Sequence, residues 1–219
     1  MDAARRDTTM DANDWDTRYR LAREAQGGRP GRLWSAVPAQ IVQDTVTPWA
    51  PGRALDLATG DGRNAIWLAA RGWNVTAVDF SAEAIGQAAE HARESGVAVD
   101  WQVGDATTWA PSGETFDLVT VIYLHLQEDA LRAVLSRAAE WLSPGGHLLV
   151  LGHDRTNIGT GAPGPADPGI LYTPELLRSA VDPSRIVRCE TIRRDLATDP
   201  EAPGDGAGYA LDTLLIATA

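Results

Sequence analysis

Short apolar stretches alternate with helix-like segments between residues 53 and 151, and this alternation constrains the fold more than any other feature of the chain. Five stretches are predicted strands, at residues 54–57, 75–78, 99–103, 116–122 and 147–151. Three amphipathic segments are predicted helices, at residues 64–71, 81–94 and 128–142. Strands and helices that alternate in this way are typical of an α/β fold, in which helices cover both faces of a parallel sheet.

The residues that follow predict a different kind of strand pairing. A loop rich in Gly and Pro spans residues 157–169, and Thr173-Pro174-Glu175 has the composition of a helix start. Two further strands are predicted at residues 185–193 and 208–218, joined by a turn-rich linker at residues 198–206. We expect these two strands to pair in an antiparallel manner at one edge of the sheet.

Composition excludes several classes of function. The formal net charge is −11, which disfavours binding to nucleic acids and to anionic membranes. No apolar run is long enough to span a bilayer, and the N-terminus has no hydrophobic signal core, so we expect a cytoplasmic protein without membrane partners. Cys189 is the single cysteine, and the four histidines are scattered, so neither a disulfide nor a metal site is predicted.

The turn after the first predicted strand is the clearest candidate for a ligand site. Gly60 and Gly62 permit a tight turn and a close approach of the backbone to a ligand. The spacing Gly60-x-Gly62-x-x-Ala65 also fits the loose form of a dinucleotide motif, which leaves an NAD(P)-linked oxidoreductase open. However, Asp61 would repel a pyrophosphate, whereas the sulfonium and ammonium groups of S-adenosylmethionine are favoured by nearby carboxylates.

Two further carboxylates follow predicted strands. Asp79 ends the second strand, where a carboxylate accepts hydrogen bonds from both ribose hydroxyls of either cofactor. Asp105 follows the third strand, where its side chain is suited to accept a hydrogen bond from the adenine amino group. Dinucleotide enzymes seldom need an acidic residue after the third strand, so Asp105 favours S-adenosylmethionine as the cofactor.

The run ALDLATGDGRNAIWLAARGWNVTAVDFS, at residues 54–81, closely resembles class I S-adenosylmethionine-dependent methyltransferases. It is most similar to the tellurite-resistance and thiopurine methyltransferase-like group, in which an Arg-Asn pair often follows the glycines. The resemblance extends from about residue 15 to residue 151. It implies a Rossmann-like, doubly wound seven-stranded sheet, mostly parallel with an antiparallel last strand. It also implies a tail and lid at residues 1–35, followed by a single S-adenosylmethionine-binding domain at residues 36–219.

The resemblance assigns most cofactor-binding positions. Carried over by position, the residues expected to contact S-adenosylmethionine, or its product S-adenosylhomocysteine, are Asp56, Ala58, Gly60, Gly62, Asn64, Asp79, Phe80, Asp105, Ala106, Ile122 and Tyr123. Ala58 departs from the glycine of many members, which an ordinary backbone at that position would tolerate. Trp15 and Tyr19 are expected to fold over the cofactor as part of a lid, and the alternative is that they anchor their helix to the sheet.

Candidate catalytic residues are fewer, because an activated methyl group needs mainly alignment of the acceptor and removal of a proton. His125 follows the fourth predicted strand and is either a general base or a packed structural histidine. His153 follows the fifth strand and is a candidate base oriented by Asp154, although this pair also suits an ordinary loop turn. His91 is expected at the surface.

These observations predict in-line methyl transfer from S-adenosylmethionine to a small-molecule acceptor, with aromatic residues near the site favouring an aromatic acceptor. A non-catalytic S-adenosylmethionine-binding protein stays open beside the oxidoreductase. A nucleic-acid methyltransferase is disfavoured, since the run Ile122-Tyr123-Leu124-His125 lacks a motif for holding a flipped base. Both a monomer and a homodimer paired through the edge strands are compatible with the sequence.

Overall fold

The computed structural model describes residues 11–160, 162–197 and 208–219. Its strands are β1 (Arg53–Leu57), β2 (Asn74–Asp79), β3 (Asp100–Val103), β4 (Phe116–Ile122), β5 (Leu142–His153), β6 (Ile186–Asp195) and β7 (Tyr209–Thr218). Its α-helices are α1 (Ala12–Ala25), α2 (Gln40–Val46), α3 (Arg63–Ala69), α4 (Ala82–Glu94), α5 (Glu128–Glu140) and α6 (Pro174–Ser179).

The strands form a seven-stranded mixed sheet in the order β3-β2-β1-β4-β5-β7-β6. β1 pairs with β2 and β2 with β3 in parallel, whereas β7 is antiparallel to both β5 and β6. This confirms the Rossmann-like α/β fold and the predicted antiparallel pair. The described residues divide into two compact units, one ending at Leu118 and the other starting at Val119.

In the first unit, local sequence signals explain where the helices begin. The Ser81 hydroxyl accepts a hydrogen bond from the backbone N–H of Ala84 at 3.0 Å, which caps the start of α4. The carboxylate of Asp11 caps α1 by accepting from the N–H of Asp14. The apolar residues of β1 and β2 are almost fully buried, among them Leu55, Leu57 and Val78. The carboxyl ends of these strands are thereby held on a rigid core.

In the second unit, the pairing of β5 with β7 positions the residues after the parallel strands. The register places His153 opposite Asp212, at the carboxyl end of β5. Tyr172 is fully buried, and its ring fills the space beside Gly152, where a Cβ atom would lie 2.4 Å from the ring. Thr173 caps α6 as predicted, since its hydroxyl accepts from the N–H of Leu176 at 3.1 Å.

Several boundaries and one environment differ from the prediction. β5 begins at Leu142 and not at residue 147 as predicted, because the residues after α5 enter the strand directly. The short helix α2 was not predicted. His91, expected at the surface, is only 6% exposed, since its face of α4 is covered by the loop at Gly31, whose carbonyl lies 3.3 Å from Nε2. The predicted tail up to residue 10 and the linker at residues 198–206 lie outside the described residues.

Membrane-spanning helices and clusters of metal-ligating side chains are both absent from the described residues. Every helix in this part of the chain falls short of the length and apolarity needed to cross a membrane. The same residues contain no cluster of three or more His, Cys, Asp and Glu side chains suited to a metal ion.

Candidate active site

The glycine turn, residues 58–62, connects β1 to α3 through three residues with positive φ. These are Ala58 at 61°, Gly60 at 58° and Gly62 at 81°. A Cβ atom at Gly60 would lie 2.8 Å from the Tyr19 hydroxyl, so the turn requires a residue without a side chain there. Alanine was expected to be tolerated at position 58 if the backbone there was ordinary. The φ of Ala58 lies in the left-handed region, so this condition is not met. A left-handed alanine costs about 1 kcal/mol.

Gly62 makes the closest packing contact of the turn, and its substitution is expected to destabilise the fold. A Cβ atom at Gly62 would lie 2.6 Å from the Trp101 ring and 2.9 Å from Cβ of Ala88. Overpacking combined with a positive φ predicts that Gly62→Ala lowers the free energy of unfolding by about 3 kcal/mol. Denaturant unfolding measures this change.

Gly86→Ala is the matched control for this substitution. Gly86 lies inside α4, and a Cβ atom there would meet no heavy atom within 4 Å. It is expected to stabilise the protein by about 0.5 kcal/mol, because alanine is a better helix former than glycine. Equal effects of the two substitutions would contradict the packing role of Gly62.

Asp79 is a buried carboxylate at the carboxyl end of β2. It accepts hydrogen bonds from the backbone N–H of Gly60 at 2.8 Å and from that of Ser81 at 3.0 Å. Burial raises its pKa to about 6, against these hydrogen bonds, and the charges of Asp56 and Asp16 act in the same direction as burial. Asp79 thus connects the glycine turn to the start of α4 through its hydrogen bonds. Because it is buried, its ionised form is energetically unfavourable in the free protein.

Asp61 is the most deeply buried carboxylate of the turn, with an exposed fraction of 0%. Neither of its oxygens completes a hydrogen bond with good geometry among the described residues, and Nη1 of Arg32 lies 3.8 Å from Oδ1. Burial raises the pKa of Asp61, although Arg32 and Arg63 oppose the shift. Oδ1 of Asn64 is likewise buried without a hydrogen-bond partner. Such unsatisfied acceptors suit a cationic hydrogen-bond donor from a ligand.

Three aromatic side chains lie beside the glycine turn. The Trp15 ring is 6.0 Å from that of Tyr19 and 6.3 Å from that of Trp34. Tyr19 is buried, and its burial raises the pKa of the hydroxyl, with Asp79 and Asp61 adding to the shift. These contacts anchor α1 beside the turn, and the role of Trp15 and Tyr19 as a lid stays a prediction.

Polar contacts also attach α1 to α4. Asp16 accepts hydrogen bonds from the Ser81 hydroxyl at 2.5 Å and the Glu83 N–H at 3.1 Å. Further along the helix, the Arg23 guanidinium lies 2.8 Å from the Glu90 carboxylate. The start and the end of α1 are therefore both held on α4 in this structure.

The other positions predicted for the cofactor have varied environments. Asp56 is buried and accepts a hydrogen bond from the Thr59 hydroxyl at 2.5 Å. Asp105 is exposed, and its Oδ1 accepts from both the N–H and the hydroxyl of Thr107, each at 2.7 Å, within a turn. Ala106 and Ile122 are buried, and Phe80 is half-buried. The role of Asp105 toward adenine stays a prediction.

In the second unit, His153 lies beside a carboxylate that the sequence did not single out. Its Nδ1 is 3.3 Å from Oδ1 of Asp212. The other oxygen of Asp212 accepts hydrogen bonds from the Tyr123 hydroxyl at 2.9 Å and from Nε of Arg194 at 2.8 Å. Burial would raise the pKa of Asp212, but the contacts with His153 and Arg194 outweigh it and hold this pKa below its usual range. Asp212 is thus a fixed anion beside the imidazole.

His125 packs against His153 and is held neutral. The two rings are stacked with centroids 5.2 Å apart, and the backbone N–H of His153 points at Nε2 of His125 at 3.3 Å. Burial and the neighbouring His153 lower the pKa of His125 to about 3. The preceding Tyr123 has a φ of 57°, a rare conformation for a bulky residue. A nitrogen that accepts a backbone hydrogen bond is poorly placed to act as a base.

Asp154 contacts threonines and not His153, which agrees with the alternative that its side chain stabilises a loop turn. Successive residues at a strand end point to opposite faces, so Asp154 points away from its neighbour. Its carboxylate accepts from the hydroxyls of Thr156, Thr191 and Thr213 at 2.6–2.8 Å. The carboxylate beside His153 is that of Asp212. Asp212 lies in a predicted strand, but the register that brings it to His153 cannot be read from local sequence.

A cavity of about 240 Å³ lies next to His153. Its lining comes from the loop after β5 and consists of His153, Asn157, Ile158, Gly159, Ala162, Pro163, Gly164, Pro165, Ala166 and Leu171. Apart from His153 and Asn157, these residues are apolar. Concave, mostly apolar surfaces with a few convergent polar groups are typical of small-molecule sites.

Comparison with known proteins places these features in context. Residues 54–146 match the family described as "Methyltransferase domain". A ubiquinone biosynthesis O-methyltransferase of Chelativorans sp. is 29% identical over 98% of this chain and 89% of its own length. The matched family region contains the glycine turn, Asp79 and Asp105.

Solved structures agree at the level of the fold. TehB from Haemophilus influenzae superposes with a TM-score of 0.65 and 16% identity, covering 83% of this chain and 62% of TehB. The N-methyltransferase NodS from Bradyrhizobium japonicum, in complex with S-adenosyl-l-homocysteine, gives a TM-score of 0.60 and 16% identity, covering 82% of this chain and 83% of NodS. At 16% identity, both likenesses show a shared fold.

Proposed function

We propose that Asp61, Asp79 and the glycine turn hold the methyl donor of this S-adenosylmethionine-dependent methyltransferase, which acts on a small molecule. The observation that carries this proposal is the Asp61 carboxylate, which is fully buried and, among the described residues, accepts no hydrogen bond of good geometry. A buried anion with unsatisfied oxygens fits the ammonium group of the donor's methionine part. A pyrophosphate at the same position would be repelled by this carboxylate.

The other residues of the turn complete the fit. S-adenosylmethionine supplies a methyl group already activated by a positive sulfonium. Asp79 accepts ribose hydroxyls through its carboxylate oxygens, each of which already receives one backbone hydrogen bond. Gly60 and Gly62 keep the backbone free of side chains, while Trp15 and Tyr19 shield the site from water. In this assignment the chain aligns the donor and excludes solvent, and these are its main tasks in methyl transfer.

Binding of S-adenosylhomocysteine is expected to weaken in acid through Asp79. The free protein holds this carboxyl with a pKa of about 6, and hydrogen bonds from ribose hydroxyls favour its ionised form. Protonation therefore competes with the ligand, so affinity is full above this pKa and falls as the pH drops through it. At pH 5 we expect Kd to be about tenfold higher than at pH 7.5. Calorimetric titrations at both pH values measure the change.

Asp79→Asn distinguishes this cause from general acid effects. The variant is expected to bind about 10–100-fold more weakly at pH 7.5, since it loses a charge-assisted hydrogen bond. It should also lose the part of the pH dependence centred near pH 6, whereas Asp61 continues to titrate. Asp100→Asn, at the exposed start of β3, serves as the matched control. Tight NAD binding, without binding of S-adenosylhomocysteine, would refute the proposed function.

We assign the general base to His153 rather than to His125. An imidazole held by a carboxylate is the arrangement that accepts a proton and stabilises the resulting cation. Asp212 provides that carboxylate at 3.3 Å, so it is a positioning residue. Because the Chelativorans relative is named an O-methyltransferase, we propose that the acceptor atom is a hydroxyl oxygen. His125 supports the ring of His153 by stacking.

A further inference from the structure

We propose that the 240 Å³ cavity beside His153 is the acceptor subsite and that it selects a compact, uncharged, hydroxyl-bearing molecule of about one aromatic ring. This inference rests on the proposed methyltransferase function and adds the class of acceptor to it. The size, the charge and the orientation of the lining residues support it independently.

The size of the cavity sets the bulk of the acceptor. A dry cavity of about 150 Å³ is enough to hold benzene, and pockets for drug-sized ligands span about 300–1,000 Å³. The volume of about 240 Å³ falls between these limits. A single ring with one or two small substituents therefore fits, and a fused polycyclic acceptor does not fit without movement of the loop.

The lining of the cavity disfavours charged acceptors. None of the described lining residues is Asp, Glu, Lys or Arg, so a charged substituent would lose its hydration without gaining a partner of opposite sign. The net charge of −11 further disfavours anions. The amide of Asn157 is already engaged, since Nδ2 donates to the Leu211 carbonyl at 2.6 Å and Oδ1 accepts from the Leu211 N–H at 2.8 Å. His153 is left as the polar side chain available to the acceptor.

The orientation of His153 supports a role in proton removal. Nδ1 faces Asp212, so the opposite edge of the ring carries Nε2. A Cβ atom at Gly164, which lines the cavity, would lie 3.1 Å from Cδ2 and 3.4 Å from Nε2 of this ring. With a methyl donor bound, the acceptor oxygen would form the new bond to the methyl carbon while its proton passed to Nε2. The electron pair of the broken carbon–sulfur bond would stay on sulfur, which would become a neutral thioether.

Three single-ring probes of similar size test the selectivity directly. Phenol is neutral, 4-hydroxybenzoate carries a negative charge and tyramine carries a positive charge. Titration of the S-adenosylhomocysteine-bound protein by NMR is expected to show phenol binding about tenfold more tightly than either charged probe. Phenol should shift the imidazole resonances of His153 and leave those of His147, at the other end of the β5–β7 pairing, unchanged.

Two substitutions locate the binding. Gly164→Ala places a methyl group against the His153 ring, and Ala162→Leu fills the cavity from the loop. Each is expected to weaken phenol binding about tenfold while leaving the affinity for S-adenosylhomocysteine within about twofold. Equal binding of all three probes, or undiminished phenol binding in both variants, would overturn the acceptor assignment. If the wild-type protein did not bind S-adenosylhomocysteine, the proposed function itself would be refuted.

Discussion

Asp61→Asn is expected to stabilise the free protein and at the same time to abolish most cofactor binding. Asp61 is fully buried, and burial raises its pKa. A carboxyl whose pKa is raised by folding binds protons more tightly in the folded state, so the free energy of unfolding falls as pH rises from its unfolded pKa through its folded pKa. Asparagine has the same shape without the charge, so at pH 7.5 we expect a gain of about 1–3 kcal/mol. Thermal unfolding measures this gain.

The same substitution removes the anion that we assign to the donor's ammonium group. A charge-assisted hydrogen bond contributes about 1.5–3 kcal/mol, so Kd for S-adenosylhomocysteine is expected to rise about 10–100-fold. Asp182→Asn is the contrasting control, because hydrogen bonds from Ser184 lower the pKa of that exposed carboxyl. It should lose stability slightly and bind normally. A variant of Asp61 that loses stability and keeps its affinity would show that Asp61 is a purely structural residue.

The parts of the site that follow parallel strands were predictable from sequence. Gly60, Gly62 and Asp79 lie in segments whose strand, turn and helix signals are local, and the sheet order places them at strand ends as expected. Asp61 was recognised as the residue that favours a cationic ligand. The sequence could not show that the oxygens of Asp61 accept no hydrogen bond of good geometry among the described residues. Their surroundings depend on side chains that are distant in sequence, such as that of Arg32.

The residues around His153 show where prediction from sequence stops. Asp154 is adjacent in sequence and was the natural partner, but the alternation of side chains along a strand directs it to three threonines. Asp212 reaches His153 only through the register of β5 with β7. A shift by one residue would move it to the other face of the sheet. Long-range register is a property of the folded sheet and leaves no local signal.

Backbone strain marks the two strand ends that carry the candidate site residues. Among the described residues, Ala58 and Tyr123 are the non-glycine residues with positive φ. Ala58 follows β1 directly, and Tyr123 follows β4 directly. Tyr123 is held there by hydrogen bonds from its N–H to the Leu151 carbonyl and from its hydroxyl to Asp212. Conformations of this kind persist where surrounding contacts enforce them, and they cluster at functional sites.

His153→Ala is expected to lower kcat by about 10²–10⁴-fold with a hydroxyl acceptor, because general bases contribute rate factors of this size. The affinity for S-adenosylhomocysteine should stay within about twofold, since the residues assigned to cofactor binding are unchanged. Steady-state kinetics with the hydroxyl acceptor, together with calorimetry, measure both effects. His147→Ala, on the same strand, is the matched control.

Asp212→Asn separates positioning from general stability. The amide keeps the shape of the carboxylate but removes the charge that stabilises the protonated imidazole, so we expect a decrease in kcat of about 10–100-fold with little change in KM. The NMR shifts of the His153 ring nitrogens should show a changed tautomer or protonation state, which a merely structural role would not produce. An undiminished kcat in His153→Ala, or normal ring shifts in Asp212→Asn, would mean that the acceptor loses its proton to water and that the pair only shapes the cavity.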